Sequence, residues 1–405
     1  MSDSVAHKYG NILFVFCGGG CKAVIQAFAA AELVRAGFCP AHIVSSSAGT
    51  CNALGFVENP GIDGAEKTLR VWEEYITSPE AIYEVHPLLR DKLARLLGVV
   101  PQATQGWGPS GSMFHDLRRA IKFLPLVMSL CVRMPFRVAG RTVSFVFRLM
   151  DTFTSPHKFF RRLVQSPEIQ EMFTEVDKYF EFKTMKAFLD PFPFLARLNE
   201  QFDLQKVLAS PIAWHILAER YEDGATVVFS NKDADLTAEP GGDARSHKAI
   251  HDLFFKRIRA SMALYPLFEM VEIDGYRYLD ADLANPLPVE EAFSLGCDTI
   301  FILLNVPKQS VRVEPYPLRD LLELNDLLRL NERYIHQRVK EAQVKAKEAG
   351  VNLFVIRPDD IPAGLGVLEI DSKVIEYVKN YERKRMKEYL ANLDAHNLRF
   401  APPIQ

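Results

Sequence analysis

The residues with the clearest chemical potential form two short blocks of small side chains near the N-terminus. Ser45-Ser46-Ser47-Ala48-Gly49 has the shape of a G-x-S-x-G turn, with serine in place of the first glycine. Such a turn joins a strand to a helix so tightly that the residues two before and two after the central serine must be small, and it lifts the serine Oγ over the helix N-terminus as a nucleophile. Ser47 is the fitted position, and its chemistry would be acyl transfer through an acyl-enzyme. The second block is Gly18-Gly19-Gly20-Cys21-Lys22. Consecutive glycines let backbone N–H groups converge on an anion at a helix N-terminus, which suits a phosphate or the oxyanion of a tetrahedral intermediate. A dinucleotide site would want G-x-G-x-x-G and an acid closing the second strand. Here Ala23 fills the last glycine position and serines close the second strand, so acyl transfer is favoured and neither cofactor nor metal is expected.

A Ser-His-Asp triad lacks an evident partner. Ser47 follows only one βα unit, whereas an α/β-hydrolase elbow normally follows several strands. His215 lies in an apolar strand and reads as a core residue, while His247 and His251 read as a solvated helix face.

The elements that must position these blocks follow from periodicity. The apolar run Asn11 to Phe16, the glycines, and an Ala-rich stretch to Ala36 make strand, turn and helix, and His42 to Ser45 starts a second unit. Two strands joined by a helix imply a parallel sheet. Further strands are expected at Ile212 to Ala218, Ala225 to Phe229, Met270 to Ile273, Arg277 to Leu279 and Thr299 to Leu304, with a segment of helical periodicity from about 80 to 185 inserted among them. After Pro307 come a long helix (about 318 to 349), a strand (353 to 356) and a last helix (about 372 to 393), read as a mainly helical extension over 307–405.

The 405 residues, 48% hydrophobic and 24% charged, exclude a stapled miniprotein and a disordered or collagenous chain. The net charge of −3 excludes a nucleic-acid-like basic excess over the whole chain. It hides one exception: from Asp116 to Arg162 there are ten Lys or Arg and two acids, a local +8 that leaves −11 on the remainder. Six cysteines without a CxxC pair favour reduced thiols and a reducing compartment. No signal peptide and no apolar run long enough for a membrane span are recognised, so a cytoplasmic, peripheral location is expected.

With these blocks in order, the chain resembles the patatin-like phospholipase family. Gly18 to Lys22 is similar to the family's Gly-Gly-Gly-x-Arg/Lys-Gly loop, and Ser45 to Gly49 to its elbow. Leu279-Asp280-Ala281-Asp282-Leu283-Ala284-Asn285-Pro286-Leu287-Pro288-Val289 is similar to its Asp-Gly-Gly/Ala block, preceded by Ala260-Ser261-Met262-Ala263 and Phe268. The resemblance spans about residues 11 to 305. It implies a three-layer α/β/α sandwich with a mostly parallel sheet over 10–306, and a lipid acyl hydrolase using a Ser-Asp dyad on a phospholipid or glycerolipid. Carried over by position, Ser47 is the nucleophile, Asp280 its base, and the amides of Gly18, Gly19, Gly20 and Cys21 the oxyanion hole. Gly49 permits the turn, and Lys22 would steady the loop or attract a head-group phosphate, unless it is an exposed first-turn lysine. Three departures stand out: Ser45 for glycine, Ala23 for glycine, and Ala281-Asp282 after the catalytic aspartate. Asp282 could raise the pKa of Asp280, point into solvent or itself act as base; Asn285 and Pro288 set the register that favours Asp280. Two alternatives stay open: a degenerate lipid-binding or scaffold relative, and an acyltransferase built on the same acyl-enzyme.

Within the insertion, Arg133, Arg137, Arg141 and Arg148 fall on one helix face among Phe136, Val143, Phe145 and Phe147. A basic, apolar element suits contact with an anionic membrane surface; a packed helical cap is the competing reading, and nucleic acid is disfavoured. The sequence specifies no oligomeric state.

Overall fold

A computed structural model describes residues 8–85, 186–187, 189–236, 244–265, 267–307 and 324–402. The arginines Arg133, Arg137, Arg141 and Arg148, with the rest of 86–185, lie outside the described residues. In chain order the elements are β1 (Ile12–Phe16), α1 (Val24–Arg35), β2 (His42–Ser45), α2 (Ala48–Glu58), α3 (Ile62–Arg70), β3 (Glu84–Val85), β4 (Leu189–Asp190), α4 (Phe192–Gln201), α5 (Leu204–Ala209), β5 (Ala213–Arg220), β6 (Thr226–Ser230), α6 (Ala244–Ser261), β7 (Val271–Ile273), β8 (Tyr276–Asp280), α7 (Val289–Ser294), β9 (Thr299–Leu303), α8 (Leu324–Ala349), β10 (Asn352–Ile356) and α9 (Ser372–Ala391).

β1 is apolar at every position because it is buried on both faces, as the centre of a parallel sheet requires. The main sheet runs β10-β9-β1-β2-β5-β8-β7, with β6 also paired to β5. From β10 to β5 every pairing is parallel, and β6, β8 and β7 enter by antiparallel pairing. Alternate residues serve opposite layers. Phe14, Phe16, Ile43, Trp214, Phe301 and Phe354 share one core with α1, α2, α6 and α9, while Leu13, Val15, Val44, Ile300, Ile302 and Leu353 share another with α7 and α8. This is a mixed α/β fold with helices on both faces of a mostly parallel sheet. Residues after 307, expected as an extension, supply the edge strand β10 of that same sheet, and α9 packs on α1.

One strand brings the two ends of the site together. β5 pairs β2 over its first half, where Ser45 lies opposite Ile216, and β8 over its second half, where Asp280 lies opposite Ala218. β6 covers residues 215 to 219 of β5, overlapping both partners. β2 and β8 must therefore share the other edge of β5 and meet head to head. Two residues along a strand span about 7 Å, so the end of β2 and the end of β8 arrive side by side although 235 residues separate Ser45 from Asp280.

Trp214, fully buried on β5, donates its indole N–H to Ser45 Oγ at 2.8 Å. Trp214→Phe keeps most of the volume and removes that donor, so it should cost about 1–3 kcal/mol, measured as a lowered urea midpoint with unchanged slope.

Candidate active site

The turn after β2 holds Ser47 at φ +51°, ψ −135°. Among the described residues only Ser47 and Asp274 have positive φ without being glycine. Asp274 with Gly275 forms the two-residue β7–β8 hairpin turn, where such angles are ordinary. At Ser47 no hairpin requires them, and the strain is of order 1–3 kcal/mol. It is held by neighbours. The Ser47 N–H donates to both the carbonyl and the Oγ of Ser261, at 3.0 and 3.1 Å. Thr50 Oγ1 lies 3.0 Å from Ser261 Oγ and donates to Ser45 Oγ at 3.2 Å. Ser45, the departure from glycine, is thus a buried hydrogen-bonding node shared by Trp214 and Thr50. Gly49 has no such freedom: a Cβ there would lie 2.5 Å from the Phe16 carbonyl oxygen.

The glycine loop leaves β1 with its carbonyls tied back. Gln26 donates to the Cys17 carbonyl at 2.7 Å and the buried Asn305 to the Gly18 carbonyl at 2.5 Å. Its amides are not equivalent. Gly18 N–H donates to Asp282 Oδ1 at 3.1 Å, and Cys21 N–H donates to the Val367 carbonyl at 2.8 Å. Gly19 and Gly20 are the loop amides without an acceptor among the described residues. Ala23 keeps φ at −63°, so the lost glycine costs nothing there. Lys22 is buried, 9% exposed, and its charge acts on Asp282, so it is not the exposed first-turn lysine allowed for above.

Asp280 closes β8, is 1% exposed, and donates its own N–H to the Ala263 carbonyl at 3.0 Å. Its carboxylate accepts the Asp282 N–H at 2.9 Å. Burial pushes the Asp280 carboxyl well above the ordinary range, and the like charge of Asp282 adds to the rise; a hydrogen bond from the Ser47 hydroxyl opposes it. Asp282 does not point into open solvent. It is half-buried against Gly18, where a Cβ would lie 2.5 Å from its Cγ and 2.6 Å from Ser47 Cβ. Burial raises its carboxyl to about 6, against the pull of the Gly18 amide and Lys22. Asn285 faces away: its amide donates to Glu291 at 3.2 Å while its N–H braces the turn on the Ala281 carbonyl.

Ser47 and Asp280 both line one cavity of about 420 Å³. Its walls are largely apolar, with Trp72, Leu189, Phe194, Met262, Phe268 and Leu368 among them. That volume falls in the range of small-molecule sites. Cys51 also lines it, but burial pushes its thiol up to about 12, so it stays protonated and a poor nucleophile. No histidine among the described residues lines it. His42 and His215 stack on each other in the N-terminal halves of their parallel strands, at the His42↔Ala213 and Val44↔His215 steps, and burial lowers His215 to about 4. Walls from α4 and from Val367–Leu368 carry no motif: one is an amphipathic helix, the other a backbone contact made some 345 residues from the loop it touches.

Among the described residues no helix is long and apolar enough to cross a membrane. No curated protein matches the chain. Among solved structures it is similar to VipD from Legionella pneumophila, at 10% identity over 93% of this chain and 67% of that one, with a TM-score of 0.33. The model of one family, described as patatin-like phospholipase, matches residues 14–293, which run from β1 through the elbow and the Asp280 block to α7. By that match over more than half its length, the chain belongs to the patatin-like phospholipase family, whose general activity is the hydrolysis of lipid esters.

Proposed function

We propose that the cavity is the active site of a lipid acyl hydrolase of phospholipase A or lysophospholipase type, with Ser47 as nucleophile and Asp280 as its base. The observation that carries this reading is the convergence of a strained, half-buried serine and a buried carboxylate on the wall of one apolar cavity. The acyl chain lies along the apolar wall. Asp280 takes the hydroxyl proton as Ser47 Oγ bonds to the ester carbonyl carbon, and the electron pair of the C=O bond moves onto oxygen. Amides of the glycine loop receive that oxyanion. Its collapse expels the alcohol, which takes the proton from Asp280, and water then releases the fatty acid by the same steps. Transfer to an alcohol other than water would make the protein an acyltransferase. Contact with a membrane surface through the basic segment around Arg133 to Arg148 is proposed on sequence alone.

Asp282 complicates the resting state. Its carboxylate accepts from Gly18 N–H, so this amide is open to a substrate oxyanion only once Asp282 is protonated or displaced. The same bond favours a second reading, a catalytically degenerate lipid-binding protein. A fluorophosphonate decides between them. Covalent labelling mapped to the peptide carrying Ser47, and absent in Ser47→Ala, is expected. Absence of labelling in the parent protein, or labelling that persists in Ser47→Ala, would overturn the hydrolase reading.

A further inference from the structure

The cavity wall holds one cation that no acid among the described residues pairs with. Besides Asp280, its charged lining residues are Lys186, Asp190, Arg259 and Glu269. Three of these are committed. Lys186 Nζ pairs with Glu269 at 2.8 Å, and Asp190 accepts the Phe192 N–H at 2.9 Å where α4 begins. Arg259 is half-buried and has no ion pair or side-chain hydrogen bond to any described residue. Enclosed arginines at other helical positions do pair. Arg257, two residues earlier on α6, meets Asp233 and Asp235; Arg338 meets Glu290 and Glu341; Arg385 meets Glu382. Arg357, just after β10, is by contrast buried without an acid among the described residues and lies 3.4 Å from His336 Nδ1. A guanidinium partly withdrawn from water and left without a counter-charge carries a desolvation cost that an anion would offset.

Its position says which anion. Phe255, Arg259 and Met262 stand at i−4, i and i+3, so they share one face of α6 and its end, and all three line the cavity. Ser261, beside Met262, is the residue that holds the Ser47 amide. The cation therefore sits in an apolar stripe tied by its own helix to the elbow. A ligand filling the stripe presents hydrocarbon to Phe255 and Met262 and a fixed negative group to Arg259. Glycerophospholipids carry such a group a few bonds from the scissile ester, whereas neutral glycerolipids do not. A planar guanidinium matches phosphate oxygens in bidentate fashion.

We propose that Arg259 is the specificity-determining residue of the cavity, binding the phosphate of a glycerophospholipid and so selecting it over neutral glycerolipids. The proposal rests on the hydrolase reading for the identity of the site, but binding tests it without turnover. In the full chain carrying Ser47→Ala, calorimetric titration would use monomeric dihexanoylphosphatidylcholine, dihexanoylglycerol and inorganic phosphate. Arg259→Gln should weaken phosphatidylcholine binding by about 10–100-fold, and Arg259→Lys, which keeps charge without the planar fork, should fall between. Dihexanoylglycerol binding should change by less than about two-fold, and inorganic phosphate should bind far more weakly than the phospholipid. Equal losses on both lipids, no loss on either, or no binding of either lipid by the Ser47→Ala protein would overturn it. Phosphate alone binding as tightly as the phospholipid would do the same, by making this a free-phosphate site. Failure of the hydrolase reading would show instead in the Ser47 labelling, which does not depend on Arg259.

Discussion

Ser47→Ala is expected to lower kcat/KM for ester hydrolysis by about 10³-fold or more, measured as fatty-acid release from short-chain phospholipid, with the urea midpoint close to that of the parent. The size of the effect follows from the absence of a substitute. The thiols on the wall are Cys51, which lies 3.1 Å from Met262 Sδ, and Cys21, and burial holds both protonated. No histidine reaches the cavity among the described residues to activate water in place of the serine. Stability should be spared because the Ser47 backbone, not its hydroxyl, makes the bonds to Ser261 that anchor the turn. Alanine still bears the positive φ at some cost, so a small loss of stability is compatible with this outcome. Hydrolysis persisting near the parent rate would place the nucleophile elsewhere.

The parts of this site legible in sequence are those where local chemistry dictates local shape. Ile12 to Phe16 is apolar throughout because both faces are covered, and Gly49 is small because the Phe16 carbonyl leaves no room for a Cβ. The Asp280 block is recognisable because Ala281 to Asn285 must turn tightly, through the Asp282 and Asn285 amides. The rest depends on pairings that leave no local pattern. β5 acts as a splint for β2 and β8 only through its register, and an alternating strand looks the same whichever partners it takes. The Val367 carbonyl that occupies the Cys21 amide contributes backbone alone, so no side-chain type marks it. Asp282 looked, by sequence, as free to face solvent as to face the loop. Its direction is set by Gly18, whose missing side chain makes the space it occupies. Arg259 is one of many helical arginines until the burial of its neighbours and the pairing of the others are known.

The two aspartates should separate cleanly by substitution. Asp280→Asn removes the proposed base and is expected to lower kcat/KM by about 10²–10⁴-fold, yet to raise the urea midpoint at neutral pH. The sign of the second effect follows from linkage. Burial and the charge of Asp282 hold the folded-state pKa of Asp280 above its unfolded value. The folded protein therefore binds more protons than the unfolded chain across the window between the two values, and stability declines as pH rises through it. Asparagine mimics the protonated carboxyl, still accepts the Asp282 N–H, and does not ionise, so that decline is removed. A residue that served only to brace the turn would show the reverse, with stability falling alongside activity. Asp282→Asn tests the partner. It deletes the like charge that raises Asp280, so Asp280 should lose its proton at lower pH and the acidic limb of the kcat/KM profile should move to lower pH. It also replaces the carboxylate on the Gly18 amide with a neutral group that a substrate carbonyl displaces more readily, so activity at neutral pH should not fall. An acidic limb that stays in place would show that the Asp282 charge does not set the ionisation governing activity, and activity lost as completely as in Asp280→Asn would transfer the role of base from Asp280 to Asp282.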